Sequence, residues 1–176
     1  MIFPALFRQS PPDTTAQNLY ALIVAQARLP VFYTHFGVAD TVDGRFDMIV
    51  LHVVVLLHRL NKETGAATLA QALFDEMFGD MDRSLREMGV SDLRIGGTVK
   101  TMARAFQGRH AAYDAALESP DDQALEKALW RNVYRGRVPL EGAAALAGYV
   151  RAAAARLLPQ TMDDFRAGRV LFGIPT

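Results

Sequence analysis

The chain has 176 residues, of which 51% are hydrophobic and 22% are charged, as expected for one soluble globular domain. Its 19 basic and 19 acidic residues give no net charge, which excludes a strongly basic nucleic-acid coat and an acidic solvating tail at the level of the whole chain. The absence of Cys excludes disulfides, thiol nucleophiles and Cys-ligated metal centres.

The N-terminal part of the chain shows helical periodicity. The segment Asp13-Thr14-Thr15 has the character of a helix N-cap and precedes apolar residues spaced three and four apart up to Ala27. Pro30 limits this helix, and a short aromatic segment covers residues 31–37. The opening MIFPALFRQS lacks the basic region of a signal peptide, so we expect no targeting segment.

A second helix is predicted from Asp43 to Asn61, after turn and cap residues at 40–44. It is apolar on nearly every side, and a helix of this kind is buried on every side. We therefore expect an all-α fold in which this helix lies at the centre. Its apolar stretch contains charged residues and is shorter than the ~20 residues needed to span a bilayer.

Glycine and proline residues divide the remainder into further helices. The predicted helices cover residues 66–78, 80–88, 98–118, 121–135, 139–158 and 161–167, with an irregular tail after them. Gly79 and the pair Gly96-Gly97 are interpreted as breaks, and Gly89 as a helix C-cap. No repeat or linker divides the chain, so residues 1–176 are predicted to form one domain.

Motifs of known enzymes are missing. The sequence contains no H-E-x-x-H, no G-x-S-x-G and no Glu followed three residues later by His. The run 96–101 resembles a phosphate-binding loop only loosely, because the gap between its glycines is wrong. No catalytic residue, cofactor or metal is predicted, and a binding role is favoured over an enzyme.

An apolar stripe is the first candidate for a binding surface. Its members are large and recur three and four residues apart: Phe74, Met77, Phe78 and Met81. Methionine adapts to several partners, so the stripe could line a client-binding groove, or it could be ordinary core. Pairs such as Asp82–Arg86 beside it are typical of a solvated helix face.

A basic patch is the second candidate. It consists of Arg131, Arg135 and Arg137, and Arg151 and Arg156 continue it. Such a patch could meet an acidic protein, RNA or lipid head groups, or its members could be scattered surface arginines. It lies in the half of the chain with more positive charge, since residues 93–176 hold 12 basic and 8 acidic side chains.

Charged residues at the start of the central helix are predicted to be structural. Asp43, Arg45 and Asp47 alternate in sign, and carboxylates beside arginine are usually ion-paired. His52 and His58 lie further along the same helix and could ligate haem in a helical bundle, although a structural histidine explains each equally well.

The motifs of residues 15–135 resemble the ubiquinol–cytochrome c chaperone family, in its bacterial branch. The resemblance is carried by Leu19-Tyr20, Gln26-Ala27-Arg28, Phe32-Tyr33, DTVDGRFD at 40–47, Leu51-His52, QALFD at 71–75, Met77-Phe78, DMD at 80–82, LREMGV at 85–90, Asp92-Leu93, Ala105-Phe106, Gly108-Arg109, Tyr113 and RNVY at 131–134. Residues 136–176 match loosely and are interpreted as a C-terminal helical extension.

This resemblance implies a non-enzymatic assembly factor of the respiratory chain. Such a protein binds cytochrome b, or an early intermediate, while the ubiquinol–cytochrome c reductase complex (complex III) is assembled. The resemblance further implies a cytoplasmic protein peripheral to the inner membrane, with the ribosome or an anionic membrane surface as further partners and no DNA. The alternative is an all-α regulator that binds nucleic acid through its Arg-rich C-terminal half.

Overall fold

The computed structural model describes residues 14–175. All regular structure in this range is helical, which confirms the all-α prediction. The α-helices are α1 (Thr14–Ala27), α2 (Val31–Thr34), α3 (Val42–Leu60), α4 (Ala67–Glu87), α5 (Asp92–Glu118), α6 (Asp122–Asn132), α7 (Ala144–Leu157) and α8 (Met162–Arg166), and a 3-10 helix covers Leu140–Ala143. The opening segment MIFPALFRQS and Asp13 lie outside the described residues.

Helix α3 is the centre of the fold, as predicted. Every residue from Asp47 to Leu60 is buried, and α3 packs against α1, α4, α5 and α7. Its start is fixed by the Thr41 hydroxyl, which accepts a hydrogen bond from the Gly44 amide at 3.1 Å. A Cβ at Gly44 would overlap the Ala39 carbonyl oxygen, so the chain can make this turn only with glycine at that position.

Two predicted breaks are absent. Gly79 lies inside the continuous helix α4, and Gly96-Gly97 lie inside the continuous helix α5. Glycine inside a helix costs roughly 1 kcal/mol relative to alanine, which is small beside the burial of a full apolar face such as that of α5. Gly89 does end α4, with a φ of 79° that suits glycine after a helix.

Helix α6 is shorter than predicted and ends at Asn132. Beyond this end the chain turns at two consecutive residues, Arg135 and Gly136, which have positive φ values of 54° and 67°. The following helix also differs from the prediction, since a 3-10 turn precedes α7. The predicted cap at Thr161 is present as a capping box with Asp164 at the start of α8.

The C-terminal segment 167–175 is irregular, as predicted, but it packs on the helices. Val170 and Phe172 are buried, and the Phe172 ring lies 5.1 Å from the His52 ring of α3. The Gln26 amide nitrogen of α1 donates a hydrogen bond of 2.8 Å to the Gly173 carbonyl. In residues 14–175 no helix has the length and apolar character needed to cross a membrane.

Candidate functional site

The apolar stripe on α4 is buried. Phe74, Met77, Phe78 and Met81 expose between 0% and 6% of their surface. Phe74 and Phe78 pack against Phe106 of α5, with ring centroids 5.3 and 6.0 Å apart. The expectation of an exposed, adaptable strip is therefore corrected, because α4 uses this face to join the core, and the core interpretation is confirmed.

The basic patch is divided by the structure. Arg131 and Arg137 are exposed and have no carboxylate partner among the described residues. Arg135 is also partly exposed, but its guanidinium lies 2.8 Å from Asp47 and 3.5 Å from Asp43. The three arginines are thus not equivalent, since one of them joins the end of α6 to the start of α3.

Asp47 is the centre of this polar cluster. Its carboxylate is fully buried and accepts hydrogen bonds of 2.8 Å from Arg109 of α5 and 2.8 Å from Arg135. Burial raises the pKa of Asp47 above its usual value, and the hydrogen bond from Arg135 and the charge of Arg109 oppose that rise. Three elements that are distant in sequence are therefore tied together by one carboxylate.

The predicted ion pairs at the start of α3 are present, but with unforeseen partners. Arg45 donates a hydrogen bond of 2.7 Å to Asp40 on the surface rather than pairing with Asp43 or Asp47. Arg109, which donates a hydrogen bond to Asp47, belongs to the Gly108-Arg109 motif. The sequence motifs include this pair but predict no role for it. Asp47 and Arg109 are 62 residues apart in the sequence, so no local pattern predicts their contact.

The two remaining arginines that extend the basic patch have different environments. Arg151 donates to the carbonyl oxygens of Ala116 and Ser119 and pairs with Asp122, so it holds the turn between α5 and α6. Arg156 is exposed and makes no ion pair within residues 14–175. An extended basic groove for nucleic acid is not supported, because Arg135 and Arg151 serve internal contacts.

His52 is occupied by hydrogen bonds on both ring nitrogens. Nδ1 donates to the Met48 carbonyl at 2.8 Å, and Nε2 accepts from the Tyr149 hydroxyl at 2.8 Å. Burial lowers the pKa of His52 from 6.5 to about 4. The neutral ring has no nitrogen left for haem iron in this arrangement.

His58 is likewise held by neighbours. Its Nδ1 lies 2.7 Å from Asp114, and its Nε2 lies 3.6 Å from Glu118. Among the residues that the structure describes, no group of three or more His, Cys, Asp and Glu side chains is placed to hold a metal ion. Both histidines of α3 thus join helices to one another.

Two shallow clefts on the described surface have a defined lining. One has a volume of about 80 Å3 and lies between the start of α3 and the chain after α6, with Asp43, Arg135 and Arg137 in its lining. The other has a volume of about 240 Å3, and its lining includes Thr15, Leu69 and Met162. Both are smaller than the ~300–1,000 Å3 typical of pockets for small molecules.

These features define an all-α protein in which polar clusters connect the helices to one another. A model of the ubiquinol-cytochrome C chaperone family matches residues 34–172. The chain therefore belongs to the ubiquinol-cytochrome C chaperone family. The match extends past residue 135, where the recognisable motifs stop, and includes α7, α8 and most of the C-terminal segment.

Curated relatives and a solved structure agree with this assignment. Ubiquinol-cytochrome c reductase complex assembly factor 1 of Drosophila melanogaster is 29% identical over 68% of this chain and 48% of its own length. The assembly factor 1 of Xenopus laevis is 26% identical over 67% of this chain and 59% of its own length. The chain thus spans about half the length of the curated relatives it matches.

The fold is also that of a solved relative. The crystal structure of the Cbp3 homolog from Brucella abortus has a TM-score of 0.81 and 38% identity, and the similarity covers 90% of this chain and 88% of that one. The helical arrangement around α3 is therefore a property that this chain shares with a member of known structure.

Proposed function

We propose that this protein is a non-enzymatic assembly factor of the ubiquinol–cytochrome c reductase complex, and that its client is cytochrome b or an early intermediate containing it. The single observation that carries the proposal is the family match over residues 34–172. The assembly factors of Drosophila and Xenopus, whose names specify this complex, support it.

The internal use of the charged residues is consistent with a binding role. Asp47 accepts hydrogen bonds from both Arg109 and Arg135, and His52 has both nitrogens engaged. None of these groups is held ready as an acid, a base or a nucleophile, as catalysis would require. Exposed Arg131 and Arg137 are proposed to contact an anionic partner such as the ribosome, on the cytoplasmic side of the inner membrane.

A gene deletion tests the proposal. We expect the deletion to lower the amount of assembled complex and of cytochrome b, while other respiratory complexes persist. The gene supplied in trans should restore both. Affinity purification of the protein from membranes, with identification of the captured subunits, should recover cytochrome b. Normal levels of the complex in the deletion strain would show that the proposed function is wrong.

A further inference from the structure

Exposed apolar side chains concentrate around the C-terminal segment. Seven large hydrophobic side chains are exposed in residues 14–175, and four of them belong to this region. The four are Leu22 of α1, Leu158 after α7, and Leu171 and Ile174 of the segment itself, with exposed fractions of 41%, 58%, 70% and 78%. We call these four residues the tail patch.

Hydrogen bonds bring the tail patch together from three parts of the chain. The Gln160 side chain donates to the Leu171 carbonyl at 2.9 Å and accepts from the Leu171 amide at 3.0 Å, which fixes Leu171 close to Leu158. Gln26, which lies one helical turn after Leu22, donates to the Gly173 carbonyl at 2.8 Å. The outward leucine and isoleucine side chains are therefore held on an ordered support.

The elements beneath the tail patch contain no acidic residue. Helix α1, helix α7 and residues 168–175 hold no Asp and no Glu, and α1 holds no charged residue at all. Surface helices normally place charged residues on their outer face. The outer face of α1 instead presents the uncharged residues Thr14, Gln17, Asn18, Ala21, Leu22 and Ala25, and that of α7 presents several exposed alanines and Gly148.

The charge on these elements is positive. They contain three arginines, of which Arg151 is paired with Asp122 and Arg169 with Asp164. Arg156 has no carboxylate partner among the described residues, and its guanidinium occupies the space where a Cβ of residue 173 would lie, beside Ile174. A cation without a carboxylate partner thus lies against the segment that carries Leu171 and Ile174.

We propose that the tail patch binds peripherally to the surface of an anionic lipid bilayer. Apolar side chains that enter the acyl boundary, together with a cation at the level of the phosphates, match a bilayer surface. The elements that carry the four residues contain no carboxylate and so add no repulsion from anionic lipids, and the neighbouring Asp164 is paired with Arg169. The inference extends the proposed function by giving the assembly factor a site of contact with the membrane in which its client resides.

The test is binding of the purified full chain to lipid vesicles. Flotation is measured with phosphatidylcholine vesicles that contain about 30 mol % phosphatidylglycerol and with vesicles of phosphatidylcholine alone. We expect binding to the anionic vesicles, weakened by roughly 0.5 M salt, and little binding to the neutral ones. The double variant Leu171→Ser, Ile174→Ser should bind about tenfold more weakly, because it removes the two most exposed members of the patch.

Further variants separate the patch from other surfaces. Leu22 is the patch residue on α1, and Leu22→Ser should also weaken binding to the anionic vesicles. Arg156→Gln should reduce the salt sensitivity of that binding. Leu93→Ser is the matched control, because Leu93 is 98% exposed and lies outside the patch, and Arg137→Gln is the control for the basic patch. Both controls should bind as the unchanged protein does. Far-ultraviolet circular dichroism verifies that each variant is folded.

Three results would overturn the proposal. They are absence of binding of the unchanged protein to anionic vesicles, undiminished binding of the double variant, and loss of binding in Arg137→Gln alone. A concentration-dependent dimer that the double variant abolishes, without vesicle binding, would assign the patch to a second copy of the chain. Vesicle binding needs no reductase complex, so a failure here is distinct from a failure of the deletion experiment.

Discussion

At the scale of single residues, the same residue types stabilise the protein to very different extents. Asp47 is buried with two guanidinium partners, whereas Asp40 and Arg45 form an ion pair of similar length in solvent. Removing one partner of a buried pair leaves an uncompensated charge in a medium that solvates it poorly. An exposed pair is replaced by water with little change in free energy.

We therefore predict that Arg109→Ala lowers the free energy of unfolding by about 1.5–3 kcal/mol, since Asp47 loses one of its two charged donors and keeps Arg135. Arg45→Ala is the matched control, since it removes an arginine from an exposed pair, and should leave the unfolding midpoint almost unchanged. Urea denaturation monitored by circular dichroism measures both. Equal destabilisation by the two variants would show that the Asp47 cluster contributes no more than a surface ion pair.

The sequence predicted that Asp43, Arg45 and Asp47 are structural, but not which residues hold them. Charge alternation at a helix start is a local pattern, whereas Arg109 and Arg135 reach Asp47 from 62 and 88 residues away. The backbone conformation of Arg135 could not be predicted from the sequence either, because a positive φ at a residue other than glycine arises from tertiary contacts. Residue types thus indicated ion pairing, and the fold selected the partners.

At the scale of elements, the helix signals were strongest where a cap coincided with a change in polarity. Thr41, Asp121 and Thr161 each accept a hydrogen bond from the following turn, close to the predicted helix starts. Glycine was a poor guide inside helices, because the packing of α4 and α5 outweighs its local cost. Periodicity revealed the apolar face of α4 but not that α5 covers it.

The burial of α3 leads to a prediction with an internal control. Val54→Asp places a charge where the side chain has no access to solvent, at a cost of several kcal/mol, so the variant should unfold. Val42→Asp adds the same charge to the first turn of the same helix, at a position 67% exposed, where the helix dipole favours an anion. Helical content and thermal midpoint measure the contrast. A folded Val54→Asp variant would contradict the central placement of α3.

At the scale of the whole molecule, His52 lies where distant parts of the chain converge. Its ring contacts Tyr149 of α7, Phe32 of α2 and Phe172 of the C-terminal segment. A proton on this ring would introduce an unpaired charge at that junction and remove the acceptor of the Tyr149 hydroxyl. Protonation of His52 at low pH should therefore weaken the packing between α2, α3, α7 and the C-terminal segment, and so lower the stability of the whole fold.

The pKa of His52 predicts a dependence of stability on acid. As the pH falls from 6.5 to about 4, the unfolded chain takes up a proton at this site and the folded protein does not. The free energy of unfolding should decrease over that interval, by about 3 kcal/mol from this residue. His52→Gln should be less stable at neutral pH and should lose part of this dependence.

His35→Gln is the control, because His35 is exposed, and its stability curve should follow that of the unchanged protein. Urea midpoints at a series of pH values provide the measurement. An unchanged slope in His52→Gln would mean that other groups cause the acid sensitivity.

The position of α3 has a consequence for the order in which the protein is made. Residues 42–60 leave the ribosome well before the helix that covers one of their sides, because α7 ends only at Leu157. During synthesis the most extensively buried helix therefore stays partly uncovered while nearly 100 further residues are added, at about 5–20 residues per second. A protein whose relatives assist the assembly of others thus has an aggregation-prone interval of several seconds in its own biogenesis.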